Sequence, residues 1–185
     1  MQSLIKDVGG IKLPKFHGTR VLMVPFVIGE KLNRYLCQWQ KVIVQMLANV
    51  STSAIGKTAF LTIDQKIVEA GNTHRRPGAH IDGNYNEGRW ETGGGSGWWW
   101  KNLETGGIIM ATDVASCVAY TGDINGTPRD LGSCDHLDLS TLDQVLMKAN
   151  RIYHGSVNMI HEPLVLKEKT ARTLVRITLP SDYAY

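Results

Sequence analysis

Apolar and polar positions follow two regimes along the chain. Residues 30 to 48, EKLNRYLCQWQKVIVQMLA, place Leu32, Tyr35, Leu36, Trp39, Val42, Ile43, Met46 and Leu47 on one side at a 3.6-residue period. Lys31, Arg34, Gln38, Gln40 and Lys41 fall opposite. This spacing predicts an amphipathic helix over 30–48, packed against a sheet and stopped by Asn49 and the STS that follows. After it the period changes to that of short strands. AFLTIDQKIVEA, GGIIMATDVASCVAY, QVLMKANRIYHG, MIHEPLVL and ARTLVRITL are the candidate strands, separated by GNTHRRPG, ETGGGSGWWWKNLETGG and TGDINGTPRDLGSCDHLDLSTLD. LSTLDQVLM also reads as a short helix capped by Ser140 or Thr141, and that segment stays open.

A helix followed by a run of strands with long loops predicts an α+β class that is mainly β, most simply a sandwich whose outer face the helix covers. The chain has 185 residues, the size of one domain. Residues 1–55 would supply an N-terminal strand and the supporting helix, and 56–185 the core. With 43% apolar and 20% charged residues, and 19 glycines against 6 prolines, the composition is that of a folded, turn-rich globular protein.

The net charge of +3 is mild and its Lys and Arg residues are scattered, so a nucleic-acid partner is not indicated. Cys37, Cys117 and Cys134 are odd in number and widely spaced, which suggests neither a disulfide framework nor a cysteine zinc site. VLMVPFVI and IIMATDVASCVAY are too short or too interrupted to span a bilayer, and the first residues carry no signal-peptide run. A soluble, cytoplasmic protein with no membrane partner is the expectation.

The chemistry starts at RRPGAHIDGNY, where His80 and Asp82 stand two apart. On an extended segment their side chains leave the same face and can reach one ion. A lone His-x-Asp is common and needs a third partner. Two histidines follow in or beside candidate strands, His154 in RIYHGSV and His161 in MIHEPLVL. Two neutral imidazoles and one carboxylate on one face of an iron ion leave three positions open, the ligand set of non-haem Fe(II) oxygenases. His17, His74 and His136 are poorer candidates, and CDHLD at 134–138 reads as a polar loop because no spaced partner pair accompanies it. GKT at 56–58 lacks the rest of a phosphate-binding loop.

His80-Ile81-Asp82, then His161, then Arg172 eleven residues further on, resembles the Fe(II)/2-oxoglutarate-dependent dioxygenases. TIDQKIVEAGNTHRRPGAHIDGNY looks like that family's strand, glycine turn and His-x-Asp, and MIHEPLVLKEKTARTLVRITL like its last two core strands. The likeness runs over about residues 60–179 as dispersed motifs. It implies a double-stranded β-helix (jelly roll) over 56–185 with an N-terminal supporting helix. It further implies Fe(II) held by His80, Asp82 and His161, with 2-oxoglutarate as cosubstrate and O2 as oxidant. The reaction would hydroxylate or oxidatively demethylate an unidentified substrate, with succinate and CO2 as co-products.

In that family a strand arginine pairs with the far carboxylate of 2-oxoglutarate, and Arg172 matches it. A dicarboxylate held inside a sandwich needs a fixed cation, and a guanidinium can hold it bidentately. Arg176, four residues on and facing the same side, is the other candidate clamp, leaving its neighbour to touch substrate. The plain alternative for either arginine is an exposed strand residue paired with Glu162 or Asp143. The distal ligand is also open: the interval to Arg172 nominates His161, as in prolyl hydroxylases and sulfonate dioxygenases, whereas NRIYHG resembles the corresponding strand of alkylated-nucleobase demethylases and nominates His154.

Gly93 to Trp100, GGGSGWWW, joins a tether to three large rings and reads either as a lid over the site or as tryptophans packed on a sheet edge. Two other readings stand beside the oxygenase: a jelly-roll binding or structural module without turnover, and a metal enzyme of the same fold that needs no 2-oxoglutarate. Neither substrate class (protein side chain, small metabolite or nucleobase) nor oligomeric state is written in the sequence.

Overall fold

Strict alternation of side chains organises the molecule. The computed structural model describes residues 1–82, 105–129 and 132–180, and over them the chain is mainly β, in two antiparallel sheets. The larger sheet has six strands in the order β2 (Ile5–Gly10), β8 (Arg151–Ser156), β5 (Thr105–Thr112), β10 (Thr170–Pro180), β4 (Thr58–Val68) and β3 (Arg20–Val27). In the smaller sheet β6 (Cys117–Asp123) pairs with β7 (Asp143–Leu146) on one side, and with β1 (Gln2–Ser3) and β9 (Ile160–Pro163) on the other.

On β10 the odd positions Val175, Ile177 and Leu179 join Leu61, Ile63, Ile109, Ala111 and Ile152 in the largest apolar cluster. Leu36, Trp39, Val42, Ile43 and Met46 cover that face, as the periodic pattern predicts. The even positions face inward, where Leu174 packs with Ile108, Met110, Tyr153, Cys117, Ala119, Met147 and Met159 between the two sheets.

The helix is shorter than 30–48. A 3₁₀ turn at Arg34–Trp39 leads into α1 (Gln40–Met46). Two polar side chains set the start: Asn33 accepts the amide of Tyr35 and Gln40 accepts that of Leu32, so residues before 34 bend back instead of joining the helix. Tyr35 is a correction as well, since it is 72% exposed and lies under the Arg34 guanidinium. Two predicted strands are each split in two: Asp113–Ser116 turns the chain between β5 and β6, and Asn150, at φ +57, turns it between β7 and β8. LSTLDQVLM resolves as the strand β7. The strands β1 to β3 lie ahead of the helix. No helix among the described residues is long and apolar enough to cross a membrane. The lid reading of Gly93 to Trp100 falls outside the described residues.

Candidate metal centre

Two short pieces of chain bring the ligands together. His80 and His161 exchange backbone hydrogen bonds, His80 N to His161 O at 3.0 Å and His161 N to His80 O at 2.9 Å, so they form a directly opposed antiparallel pair. The other edge of the His80 segment is held by residues 132–135. Ile81 N donates to Gly132 O, Cys134 N to Ala79 O, and the Asp135 carboxylate accepts the Ala79 amide at 2.8 Å. CDHLD is therefore more than a polar loop: Cys134 is fully buried and Asp135 braces the turn into the His-x-Asp. Gly78 is required there, because at φ +84 a Cβ would stand 2.6 Å from the Asp135 carboxylate.

With that pairing fixed, alternation sends His80, Asp82 and His161 into the space between the sheets. One ligand atom from each lies within 4.8 Å of the others, and both histidines are buried. His80 Nδ1 lies 2.8 Å from Gly78 O and His161 Nδ1 3.3 Å from Met159 O. A carbonyl can only accept, so each Nδ1 carries the proton and each Nε2 presents a lone pair. His161 Nε2 then faces Asp82 Oδ2 at 3.3 Å, lone pair toward lone pair, an arrangement that a shared cation resolves. Backbone carbonyls that fix the tautomer from behind are the usual support of metal-binding histidines. Burial pushes the His80 imidazole down to about 3, so it stays a neutral ligand at working pH. For Asp82 burial acts upward, but the Arg176 guanidinium outweighs it and holds the carboxyl well below its usual range. The donor set fits a divalent transition metal, and two imidazoles with one carboxylate is the set favoured by non-haem Fe(II).

His154 is not part of this group. It lies on the opposite face of the larger sheet, where its Nε2 reaches the Met46 carbonyl at 3.2 Å, at the C-terminal end of α1. His136 is exposed and reaches Thr127 O, and His17 is exposed too.

Both arginines are buried, at 2% and 6% exposure for Arg172 and Arg176, and neither is the exposed strand residue of the plain alternative. Glu162 takes the Tyr120 hydroxyl instead. Arg176 ion-pairs through Nη1 with Asp82 Oδ2, and its Nη2 lies 3.5 Å from the Met23 sulfur. Met23 reaches inward from an irregularity of β3 at φ +55, a conformation uncommon outside glycine and one that sequence reading does not reveal. Arg172 differs. Its Nε donates to Thr112 Oγ1 at 3.2 Å, and among the described residues it meets no carboxylate at ion-pair distance. Burial lowers its pKa, and Cys117, Asp113 and Asp64 act against that from further off.

A second buried polar group went unread in the sequence. Asp64, fully buried on the inward face of β4, accepts from Arg20 Nε at 2.8 Å and Arg75 Nη1 at 3.2 Å, while His74 Nε2 lies 3.3 Å from its Oδ2. Burial works to raise the Asp64 carboxyl, and His74 and Arg20 overcome it to leave the pKa far below the usual value. The alternating pattern of TIDQK puts Asp64 inward and was the available signal. The chain matches no protein-family model, no curated protein and no solved structure, and the site rests on its own geometry.

Proposed function

We propose that the protein is an Fe(II)- and 2-oxoglutarate-dependent oxygenase. Two observations carry this reading together: a His-Asp-His ligand set with its lone pairs turned inward, and, on the same face of β10 as the Arg176 that pairs with Asp82, a buried guanidinium, Arg172, with no carboxylate partner among the described residues. A metal fits the first and an anion the second. A dicarboxylate that chelates the metal at one end and pairs with Arg172 at the other satisfies both.

The fold reading is that of a double-stranded β-helix. In support, if residues 79–82 are counted as a strand, the chain from β4 onward visits the larger sheet, the smaller, the larger, the smaller twice, the larger, the smaller and the larger. The four inner strands of the larger sheet are β8, β5, β10 and β4. Those of the smaller are β7, β6, β9 and the His-x-Asp segment. This is two sheets wound by one ribbon.

His80, Asp82 and His161 would hold Fe(II), which would supply the oxidative decarboxylation of 2-oxoglutarate to succinate and CO2 with oxygenation of a substrate. The chain's own residues do the rest. Nδ1–H bonds to Gly78 and Met159 keep both imidazoles oriented. Arg176 holds Asp82 ionised and fixed. Arg172 receives the far carboxylate in a bidentate grip. The apolar wall of Ile108, Met110, Cys117, Ala119, Met159 and Leu174 excludes water from the reacting atoms. Burial pushes the Cys117 thiol up to about 12, so it sits there as an inert thiol.

The test is Fe(II)-dependent succinate formation from 2-oxoglutarate, abolished by His80→Ala and by Arg172→Ala. Turnover that survives Arg172→Ala would favour a metal enzyme that needs no 2-oxoglutarate. No iron retention and no decarboxylation would leave a binding module.

A further inference from the structure

Next to Arg172 lies a histidine with nothing to bond. His74 is 1% exposed, and neither of its ring nitrogens makes a hydrogen bond: Nε2 is 3.3 Å from Asp64 Oδ2 but out of line with it. Buried polar nitrogens of this kind call for a partner. Asp64 already accepts from Arg20 and Arg75, so the out-of-line contact with His74 is not its only support. Those two guanidiniums hold it at close range, and Asp64 supports Arg172 only from further off.

The position is set by register. Lys66 lies opposite Arg172 across the β4–β10 ladder, which makes Asp64 the diagonal neighbour of Arg172 on the same inward face. His74 rests on Asp64, and the charge of Arg172 reaches it. Two buried donors are therefore both neighbours of Asp64, His74 at 3.3 Å and Arg172 on the diagonal.

We infer that His74 is a second donor to the far carboxylate of the cosubstrate, sharing it with Arg172, and so helps to select a five-carbon dicarboxylate over a monocarboxylate keto acid. This rests on the oxygenase reading for the identity of the ligand, though a dicarboxylate site at Arg172 and His74 can be tested without it. A neutral imidazole has one N–H to give. A carboxylate oxygen delivered to Arg172 provides the acceptor that Asp64 is out of line to provide. His74 lies outside the His80, Asp82 and His161 group, and a place beside the arginine gives this buried histidine a role.

The probes are 2-oxoglutarate, glutarate (both carboxylates, no keto group) and pyruvate (the keto acid without the far carboxylate). The full chain is loaded with Zn(II) and its histidine ring nitrogens are followed by NMR. The His74 signals are expected to move with the two diacids and to stay still with pyruvate. His74→Phe is expected to weaken both diacids about tenfold, the loss of one hydrogen bond to a charged group, while His74→Gln, which keeps an N–H, recovers most of the affinity. Unmoved His74 signals in the presence of bound diacid, or His74→Phe binding as tightly as the wild type, would overturn the inference even where iron and 2-oxoglutarate bind normally. Diacid binding that moves His74 in a protein whose iron forms no 2-oxoglutarate complex would instead sink the oxygenase reading and uphold this site. A wild type that binds neither diacid refutes both.

Discussion

The two faces of the larger sheet are made by alternate residues of the same strands and have opposite chemistry. On β10 the outward set is Val175, Ile177 and Leu179, packed under Trp39, Ile43 and Met46. The inward set is Arg172, Leu174, Arg176 and Thr178, of which three are polar and all are buried. Hydrocarbon on the outward side stabilises the fold by leaving water and asks for no partner. Charge on the inward side is held at a cost that only partners offset. Arg176 has Asp82, whereas among the described residues Arg172 has one threonine hydroxyl. On the proposed function, the inward face is the one that receives the ligand.

This contrast can be broken from either side, and the largest effects should come first. Trp39→Ala is expected to cost about 3–5 kcal/mol of stability, because the side chain is fully buried and the cavity is apolar. Denaturant unfolding measures this, and iron and diacid affinity in the folded fraction should be unchanged. Arg176→Met, on the inward face, should cost a similar amount, about 3–5 kcal/mol in metal-free protein, by leaving the Asp82 carboxylate without its cation. Added divalent metal should recover much of that loss, which it should not do for Trp39→Ala.

Arg172→Met should do the reverse. Replacing a buried, underpartnered charge by an apolar chain of similar length is expected to stabilise the ligand-free protein by about 1–4 kcal/mol, while abolishing 2-oxoglutarate binding. A destabilised Arg172→Met would show that this cation already has its partner in the fold.

The smallest effect lies with His154. Burial lowers its pKa and that of His74 below the ordinary imidazole value of about 6.5. The unfolded chain therefore takes up protons below pH 6.5 that the folded chain refuses, and stability falls as pH drops from 7 toward 5. Each histidine contributes at most about 1.4 kcal/mol per pH unit. His154→Gln should flatten part of this slope in melting temperatures taken from pH 7.5 to 5, leaving the metal centre untouched.

Much of the site was legible because its residues sit in strands whose alternation is local. His80 with Asp82, and Arg172 with Arg176, each share a face by spacing alone, and both pairs lie inward. What could not be read is what distant segments contribute. The brace from residues 132–135 and the choice of His161 over His154 depend on which strands become neighbours. The inward Met23 depends on a bulge, and the Asp64 cluster gathers Arg20 from one distant stretch and the adjacent His74 and Arg75 from another. The helix was overextended because a periodic apolar face does not mark where Asn33 and Gln40 turn the backbone aside.

On the proposed function, a dicarboxylate meets iron at one end and Arg172 at the other. The most direct test is an anaerobic titration of the Fe(II)-loaded full chain with 2-oxoglutarate, followed by visible absorption. A metal-to-ligand charge-transfer band should grow to saturation, be absent in His80→Ala, and require far more 2-oxoglutarate in Arg172→Met. Iron-loaded protein that shows no such band at any 2-oxoglutarate concentration would contradict the account.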